Sequence, residues 1–404
     1  MFQSKSRTSL TNKKTLLFGL ISVFLCGMGF SIIMPVVPFL VTPYVTNASD
    51  QALMVTLLTS VYAFCVFFAA PGLGALSDRF GRRPVLLICF IGSAIGYFIF
   101  GGALWVLFLG RIIEGITGGS ISTLFAFFAD ITPQEERTKY FGWVSAAAGA
   151  GAALGPAFGG LLAHFGYAMP FFFGATITFI NFLFGYFYMP ESLDDANRLK
   201  RIPLMRLNPF SQLLNILTIK NLGRLLIAAF FIWVPNGSLQ AVMSQFAIDS
   251  FSWKPALIGM MFSIMGIQDI LSQAFVMPKL LIRLTDKQIA VLGMIAEIIG
   301  YSLIATSSIF TLAPLLVIGM FVFGFGDSIF GPSFNGMVSK AASASEQGRI
   351  QGGSQAIQSL ARIIGPIIGG QIYITLGHAA PAIMGVLLIT VAIFILYKKT
   401  SLAK

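Results

Sequence analysis

Six charged side chains lie within long apolar stretches of this 404-residue sequence, where charged residues are otherwise rare. They are four carboxylates and two arginines: Glu114, Asp269, Glu297, Asp327, Arg111 and Arg362. A carboxyl group held away from water favours its neutral form, so it can bind and release a proton as its surroundings change. The carboxylates outnumber the arginines, and this surplus of acid predicts a proton relay or a cation-binding site.

The two arginines are the expected partners of these acids. Arg111 and Glu114 are three residues apart, so on a helix they share a face and can form an ion pair. We expect Arg362 to be the counter-ion of the acids in the second half of the chain. Two alternatives remain open. Arg111 can extend its charge to the membrane surface, and Asp269 and Asp327 can be structural ion-pair partners only.

The composition places these charges in a membrane protein. The chain is 56% apolar and 10% charged, whereas about 25% of the residues of a soluble domain are charged. Apolar runs of about 20 residues are long enough to cross a bilayer as helices. We predict an all-α fold with twelve spans: 15–41, 53–76, 84–104, 106–130, 139–163, 168–189, 221–246, 255–280, 288–308, 311–339, 349–376 and 379–397.

Lysine and arginine are distributed unequally between the two sides of this predicted topology. With the N-terminus inside, 23 of the 26 lie in or beside the inner connections and the termini. This asymmetry predicts a multi-pass protein of the plasma membrane with both termini in the cytoplasm. It also accounts for the net charge of +11 without nucleic acid as a partner. The first apolar run is too long for a cleaved signal, so we expect it to remain as a span.

The connection between the second and third spans carries the most specific motif, GALSDRFGRRPVLL at 74–87. It resembles the signature of the major facilitator superfamily, and most closely that of the tetracycline/proton antiporters and their drug-exporting relatives. The resemblance implies a twelve-helix transporter fold with a gate on the cytoplasmic side. The gate residues that it implies, including the acid that ends the fourth span, are Gly74, Asp78, Arg79, Gly81, Arg82, Arg83 and Asp130.

The fifth predicted span carries small residues at helical spacing, which place several glycines on one face. Its motif residues are Gly151, Gly155, Pro156, Gly159 and Gly160. The run resembles the antiporter motif of drug/proton exporters, and the resemblance implies export rather than uptake. Close packing of neighbouring helices is the simpler interpretation. A shift of 210 residues superimposes the G-P-x-x-G-G run at 155–160 on a second one at 365–370.

This internal repeat divides the chain into two six-helix halves, 1–189 and 221–404, which are joined by a cytoplasmic linker, 190–220. Parallel repeats with a binding site between them characterise the major facilitator architecture. Polar side chains of the second half are candidates for lining that cavity, or for hydrogen bonds to neighbouring helices: Asn236, Gln240 and Asn335.

The sequence departs from the tetracycline exporters at two positions, where Cys26 and Gly96 replace acids that the family carries. A multidrug substrate range is therefore an open alternative to tetracycline itself, with Glu114, Asp269 and Asp327 as replacement charges. Proton-coupled symport or facilitated uptake of a nutrient such as a sugar is the alternative class. The sequence has no nucleophile–base set, no paired metal ligands and no phosphate-binding loop, so we expect no cofactor and no metal. We expect a transporter that functions as a monomer and uses protons as the coupling ion.

Overall fold

The computed structural model describes residues 13–99, 103–132, 137–202, 207–210, 222–340 and 347–397. Part of the predicted linker, 203–206 and 211–220, therefore lies outside the described residues. The helices, which confirm the all-α class, are α1 Lys13–Ile32, α2 Val37–Val41, α3 Ala48–Phe80, α4 Arg82–Phe98, α5 Leu104–Gly118, α6 Ile121–Ile131, α7 Arg137–Leu162, α8 Met169–Tyr188, α9 Leu222–Phe251, α10 Pro255–Leu271, α11 Met277–Arg283, α12 Asp286–Ile309, α13 Ala313–Lys340, α14 Gln347–Leu376 and α15 Ala380–Tyr397.

The described helices follow the predicted spans in order and are consistent with twelve of them, with local breaks. Ten described stretches are long and apolar enough to cross a membrane, and the third and twelfth spans correspond to the shorter helices α4 and α15. The fourth span is divided into α5 and α6 by a turn at Gly119 and Ser120. The first span, predicted to reach 41, is interrupted after Ile32, because Pro35 and Pro38 lack backbone donors.

The eighth span contains a π-helical turn, Ser272–Val276, between α10 and α11. Such single turns widen the helix by one residue and are frequent at functional sites. The second span is longer than predicted, because α3 begins at Ala48 and continues to Phe80. Its charged end, Ser77-Asp78-Arg79, is thus helical rather than part of a loop.

The chain forms two compact units. The first comprises the chain up to Tyr44, Val61–Pro209 and Lys254–Gly266. The second comprises Val45–Ser60, Phe210–Trp253 and the chain from Ile267. In the first unit α1 packs along α7, and α4 packs on α5 and α8; in the second, α9 packs along α14, and α12 on α13 and α15.

The two glycine runs make equivalent contacts in their own units. A Cβ on Gly159 of α7 would lie 1.8 Å from the Ile32 carbonyl oxygen of α1. A Cβ on Gly369, its counterpart in α14, would lie 1.8 Å from Ser238 Oγ of α9. The repeat detected in the sequence is therefore a repeat of helix packing.

Candidate functional site

The connection between α3 and α4 is a single residue, Gly81, whose φ of 104° lies in a region that side chains rarely adopt. A Cβ there would also lie 2.3 Å from Glu191 Oε2. Glycine is therefore required at position 81 for two reasons, the positive φ and the close approach of the Glu191 side chain. We call residues Asp78–Arg83 the α3–α4 turn.

Arg82 joins the helices that meet at this turn. Its Nη1 donates to Asp78 Oδ1 at 2.5 Å and to Ser77 Oγ at 2.7 Å, and its Nε donates to Asp130 Oδ2 at 3.0 Å. The Arg82 side chain is 8% exposed, whereas the Asp78 and Asp130 side chains are 32% and 22% exposed. Of the three arginines predicted for the gate, Arg82 is thus the one that pairs with both acids.

The other two arginines of the α3–α4 turn have different contacts. Arg79 is exposed and lies over the Phe80 ring, with Cζ 5.1 Å from the ring centroid. Arg83 donates from Nη2 to the Tyr186 carbonyl oxygen at 2.6 Å. Gly74 lies within α3, and a Cβ there would meet nothing within 4 Å, so it makes no close helix contact among the described residues.

Glu191, which sequence reasoning did not single out, holds the start of α4. Its Oε1 accepts the Arg82 N–H at 2.8 Å, and its Oε2 accepts the Arg83 N–H at 3.2 Å. A carboxylate at a helix N-terminus satisfies free donors and opposes the helix dipole. The signal in the sequence is the MPES motif that follows the sixth span. Its neighbour Ser192 adds a hydrogen bond from Oγ to Asp130 Oδ2 at 3.2 Å.

The predicted antiporter motif packs on α1. A Cβ on Gly151 would lie 2.0 Å from the Phe24 carbonyl oxygen, and one on Gly155 would lie 2.1 Å from Ser31 Oγ. Beyond Pro156, the Ala157 N–H donates to Ser263 Oγ of α10 at 2.8 Å. A Cβ on Gly160 would lie 2.6 Å from the Pro255 carbonyl oxygen. The small residues therefore bring two helices within backbone distance of α7.

Arg111 and Glu114 form the predicted pair in α5. Arg111 Nη1 donates to Glu114 Oε2 at 2.7 Å, and the two side chains are 6% and 4% exposed. Arg111 also lies over the Tyr62 ring, with Cζ 5.0 Å from the centroid. Glu114 Oε1 has no hydrogen-bond partner among the described residues. The Tyr97 hydroxyl is a further polar neighbour of this carboxylate.

Gly96 lies at a close contact between α4 and α5. A Cβ there would lie 3.1 Å from both the Glu114 backbone nitrogen and the Gly110 carbonyl oxygen. An acid at position 96 would not fit without a shift of α5. Gly96 of α4, where the sequence lacks an acid, and the buried Glu114 of α5 therefore lie at the same contact between these helices.

The second unit contains a hydrogen-bonded row of polar side chains across α9, α12 and α13. Tyr301 OH donates to Asn236 Oδ1 at 2.8 Å, and Asn236 Nδ2 donates to Asp327 Oδ1 at 3.0 Å. Asn236, predicted as a cavity residue, therefore positions an acid, and Asp327 itself is exposed on α13.

Glu297 differs from the other three intramembrane acids, because it is fully buried and neither carboxyl oxygen forms a hydrogen bond of standard geometry with a described residue, although the Asn236 amide is a polar neighbour. It lies at the close contact of α12 with α13, where a Cβ on Gly326 would be 2.9 Å from Glu297 Cγ. An ionised carboxylate in such a place costs several kcal/mol, so the arrangement favours the neutral acid.

The remaining predicted residues lie apart from this row. Asp269 Oδ1 accepts a hydrogen bond from Gln273 Nε2 at 2.9 Å, at the start of the π-helical turn. Arg362 is exposed and lies beyond ion-pair distance of the described acids, but it is near enough to Asp327 for its positive charge to act on that carboxylate. Gln240 and Asn335 are exposed.

Comparison with known proteins gives consistent matches along the chain. The model of the Major Facilitator Superfamily matches residues 19–234 and 225–403. Tetracycline resistance protein, class C, of Escherichia coli is 36% identical over 354 residues, which cover 87% of this chain and 88% of that protein. Multidrug resistance protein 2 of Bacillus subtilis is 28% identical over 380 residues, 91% of each chain.

Solved structures resemble the fold at lower identity. The human organic anion transporter MFSD10 has a TM-score of 0.73 at 21% identity and covers 95% of this chain and 99% of its own. A D-xylose-proton symporter has the same TM-score at 17% identity, covering 95% and 96%. At these identities the likeness concerns the fold alone.

Proposed function

Because the chain belongs to the Major Facilitator Superfamily, we propose that it exports amphipathic drugs, tetracycline among them, in exchange for protons. The match confirms the predicted resemblance, and the apolar helices make the chain a multi-pass membrane protein of a transporter family. The relatives named as tetracycline resistance and multidrug resistance proteins support drug export.

The single observation that carries proton coupling is the state of Glu297. It is completely buried, its carboxyl oxygens form no hydrogen bond of standard geometry with a described residue, and the Asn236 amide is a polar neighbour. Such a group holds a proton in this arrangement and ionises when water or a cation reaches it. An acid whose protonation depends on the local conformation is what coupling of proton movement to a conformational cycle requires.

Asp327 and Glu114 are proposed to complete the set of coupling acids. Asp327 is exposed within an apolar helix and already bound to Asn236, so it is placed to meet a substrate amine or a proton in a water-filled cavity. Glu114 has one oxygen on Arg111 and one free of described partners. Asp269, beside the π-helical turn, is proposed to act on substrate range rather than on the proton.

The remaining parts of the proposal concern the setting of the protein. The basic residues orient the α3–α4 turn and both termini toward the cytoplasm of a plasma membrane. Each unit supplies its own buried acid, which supports function as a monomer with protons as the coupling ion and no further cofactor.

Drug susceptibility of a pump-deficient host tests this function. Cells that express the chain should tolerate more tetracycline, or more of a lipophilic cation such as ethidium, than cells with an empty vector. Glu297→Gln preserves shape but cannot ionise, and it should remove the protection at equal membrane levels of protein. Asp195→Asn is the matched control, because the Asp195 side chain is 88% exposed. Protection that survives Glu297→Gln would refute the role of Glu297, and unchanged susceptibility with the intact chain would favour uptake.

A further inference from the structure

The side-chain amide of Asn236 in α9 has a carboxylate of two other helices beside it. Its Nδ2 donates to Asp327 Oδ1 of α13 at 3.0 Å, and Glu297 of α12 is the second acid next to this amide. An amide nitrogen carries two N–H groups, so it can donate to two acids at the same time. One N–H is used by Asp327, and the other is the donor that a Glu297 carboxylate can use.

Tyr301 determines which way this amide faces. Its OH donates to Asn236 Oδ1 at 2.8 Å, so the amide oxygen is occupied and the nitrogen is left for the acids. The Tyr301 side chain is fully buried, and its ring centroid lies 5.1 Å from that of Phe323. A Cβ on Gly385 of α15 would lie 2.7 Å from the same ring. A ring packed this closely keeps its hydroxyl in place, so the amide is held as a donor to carboxylates.

The two acids differ in their access to water and in their charged neighbours. Asp327 is exposed, and Asp269 of α10 and Arg362 of α14 act on it with charges of opposite sign. Glu297 is fully buried, and its titratable neighbours in the described structure are Asp327 and Tyr301. Neighbouring carboxylates oppose each other's ionisation, so the pair favours a single negative charge. That charge belongs on the exposed Asp327, which has a donor, while Glu297 keeps its proton.

We propose that Asn236 and Tyr301 are positioning residues that allow one lipophilic cation to replace one proton in this pair of acids. The inference rests on the proposed function, in which these acids couple drug to protons, and it adds the substrate class and the groups that join the acids. A cation bound at Asp327 compensates the negative charge that opposes ionisation of Glu297. The O–H bond of Glu297 then breaks, its electron pair stays on the carboxylate, and the proton goes to water.

The amide decides whether this exchange is possible. A buried carboxylate without a donor is unfavourable, so compensation of Asp327 alone does not release the proton. The second N–H of Asn236 supplies the donor when Glu297 ionises. A rotated amide would present its oxygen to the new charge and repel it, and the bond from Tyr301 opposes this rotation. Loss of a hydrogen bond to a carboxylate shifts its ionisation equilibrium about tenfold or more.

Proton release on binding of a permanent cation tests the proposal without a membrane gradient. Tetraphenylphosphonium has no titratable group, so a pH-sensitive dye in a weakly buffered solution of the intact purified protein reports protons from the protein alone. Normalised to bound cation from equilibrium dialysis, the wild type should release about one proton. Asn236→Leu replaces the amide by methyl groups of similar volume and should release less than about half as much. Tyr301→Phe removes only the hydroxyl and should lower the release as well.

Two comparisons separate this role from general effects. Tyr373→Phe is the matched control, because the Tyr373 OH also donates to a carboxylate of the second unit, Asp249 Oδ2 at 2.7 Å, outside the pair. It should release as many protons as the wild type. Triphenylphosphine oxide, a neutral compound with the same phenyl groups, should release none, because it brings no charge to Asp327.

The outcomes distinguish this inference from proton coupling itself. Full release by Tyr301→Phe would overturn the inference and leave coupling through Glu297 intact, and this variant keeps the test valid if Asn236→Leu does not fold. An equal loss in Tyr373→Phe, loss of cation binding in both Asn236→Leu and Tyr301→Phe, or release by the neutral compound would also overturn it. A wild type that binds the cation without releasing a proton would overturn both the inference and coupling through Glu297. A wild type that does not bind the cation would overturn the inference, while tetracycline export would stand on its own test.

Discussion

Replacing Arg82 by alanine is expected to remove the link between α3, α4 and α6. Arg82 Nη1 bonds to Asp78 and Ser77, and its Nε bonds to Asp130. The substitution removes the guanidinium that both carboxylates share. Arg79→Ala is the matched control, because Arg79 is an exposed neighbour whose described contact is the Phe80 ring.

The expected cost follows from these bonds. A hydrogen bond to a charged group contributes about 1.5–3 kcal/mol, and Arg82 makes one to each acid. Because the Asp78 and Asp130 side chains are 32% and 22% exposed, solvent screens part of the interaction energy of these two bonds. We therefore expect a loss of about 3 kcal/mol, which corresponds to about a hundredfold change in the population of the bonded turn. Arg82→Lys keeps the charge but lacks the planar guanidinium whose several N–H donors reach both acids. It should therefore recover only a minor part of the lost stabilisation.

Tetracycline accumulation in everted membrane vesicles, normalised to the amount of protein, measures the consequence. Arg82→Ala should lower the initial rate at least tenfold, whereas Arg79→Ala should stay within about twofold of the wild type, as surface charges usually do. Equal rates for Arg82→Ala and the wild type would refute the reasoning. An equal loss in both alanine variants would show that positive charge alone, rather than the Arg82 bonds, is needed.

Three further expectations concern packing, capping and orientation. Gly155→Ala should lower the free energy of unfolding by about 1–3 kcal/mol, because its Cβ would lie 2.1 Å from Ser31 Oγ. Gly149→Ala, whose Cβ would have nothing within 4 Å, should be neutral or stabilising in the same thermal-shift assay. Glu191→Gln should weaken the start of α4 and raise hydrogen exchange at 82–86, and no change relative to Asp194→Asn would contradict the capping role. In a cysteine-free background, a cysteine replacing Ser49 should react with an impermeant thiol reagent from outside, and one replacing Arg79 from inside. Reaction of both cysteines from the same side of the membrane would contradict the orientation.

The sequence was sufficient for the helices and for the buried charges, because both depend on local composition. Apolar runs of span length and isolated charges within them are visible without any knowledge of contacts. The turn at Gly119 and Ser120 and the π-helical turn after Leu271 were not predicted. Both occur inside runs that remain apolar, so hydropathy carries no signal for them.

The partners of the charged groups could not be predicted, because they come from distant positions. Glu191 is 109 residues from Arg82 in the chain, and only the fold brings it to the start of α4. Glu297 and Asp327 are alike in sequence, yet Asp327 is exposed and accepts a hydrogen bond from Asn236 at 3.0 Å, whereas Glu297 is fully buried and has no hydrogen bond of standard geometry.

Proton release during drug entry tests the central claim most directly. In proteoliposomes loaded with a pH-sensitive dye and held at zero membrane potential, addition of tetracycline should release protons from the lumen when the wild-type protein is present. Glu297→Gln should abolish this release while leaving downhill exchange of drug, and Asp195→Asn should behave as the wild type. Drug accumulation driven by membrane potential alone, or proton release that persists in Glu297→Gln, would contradict the account.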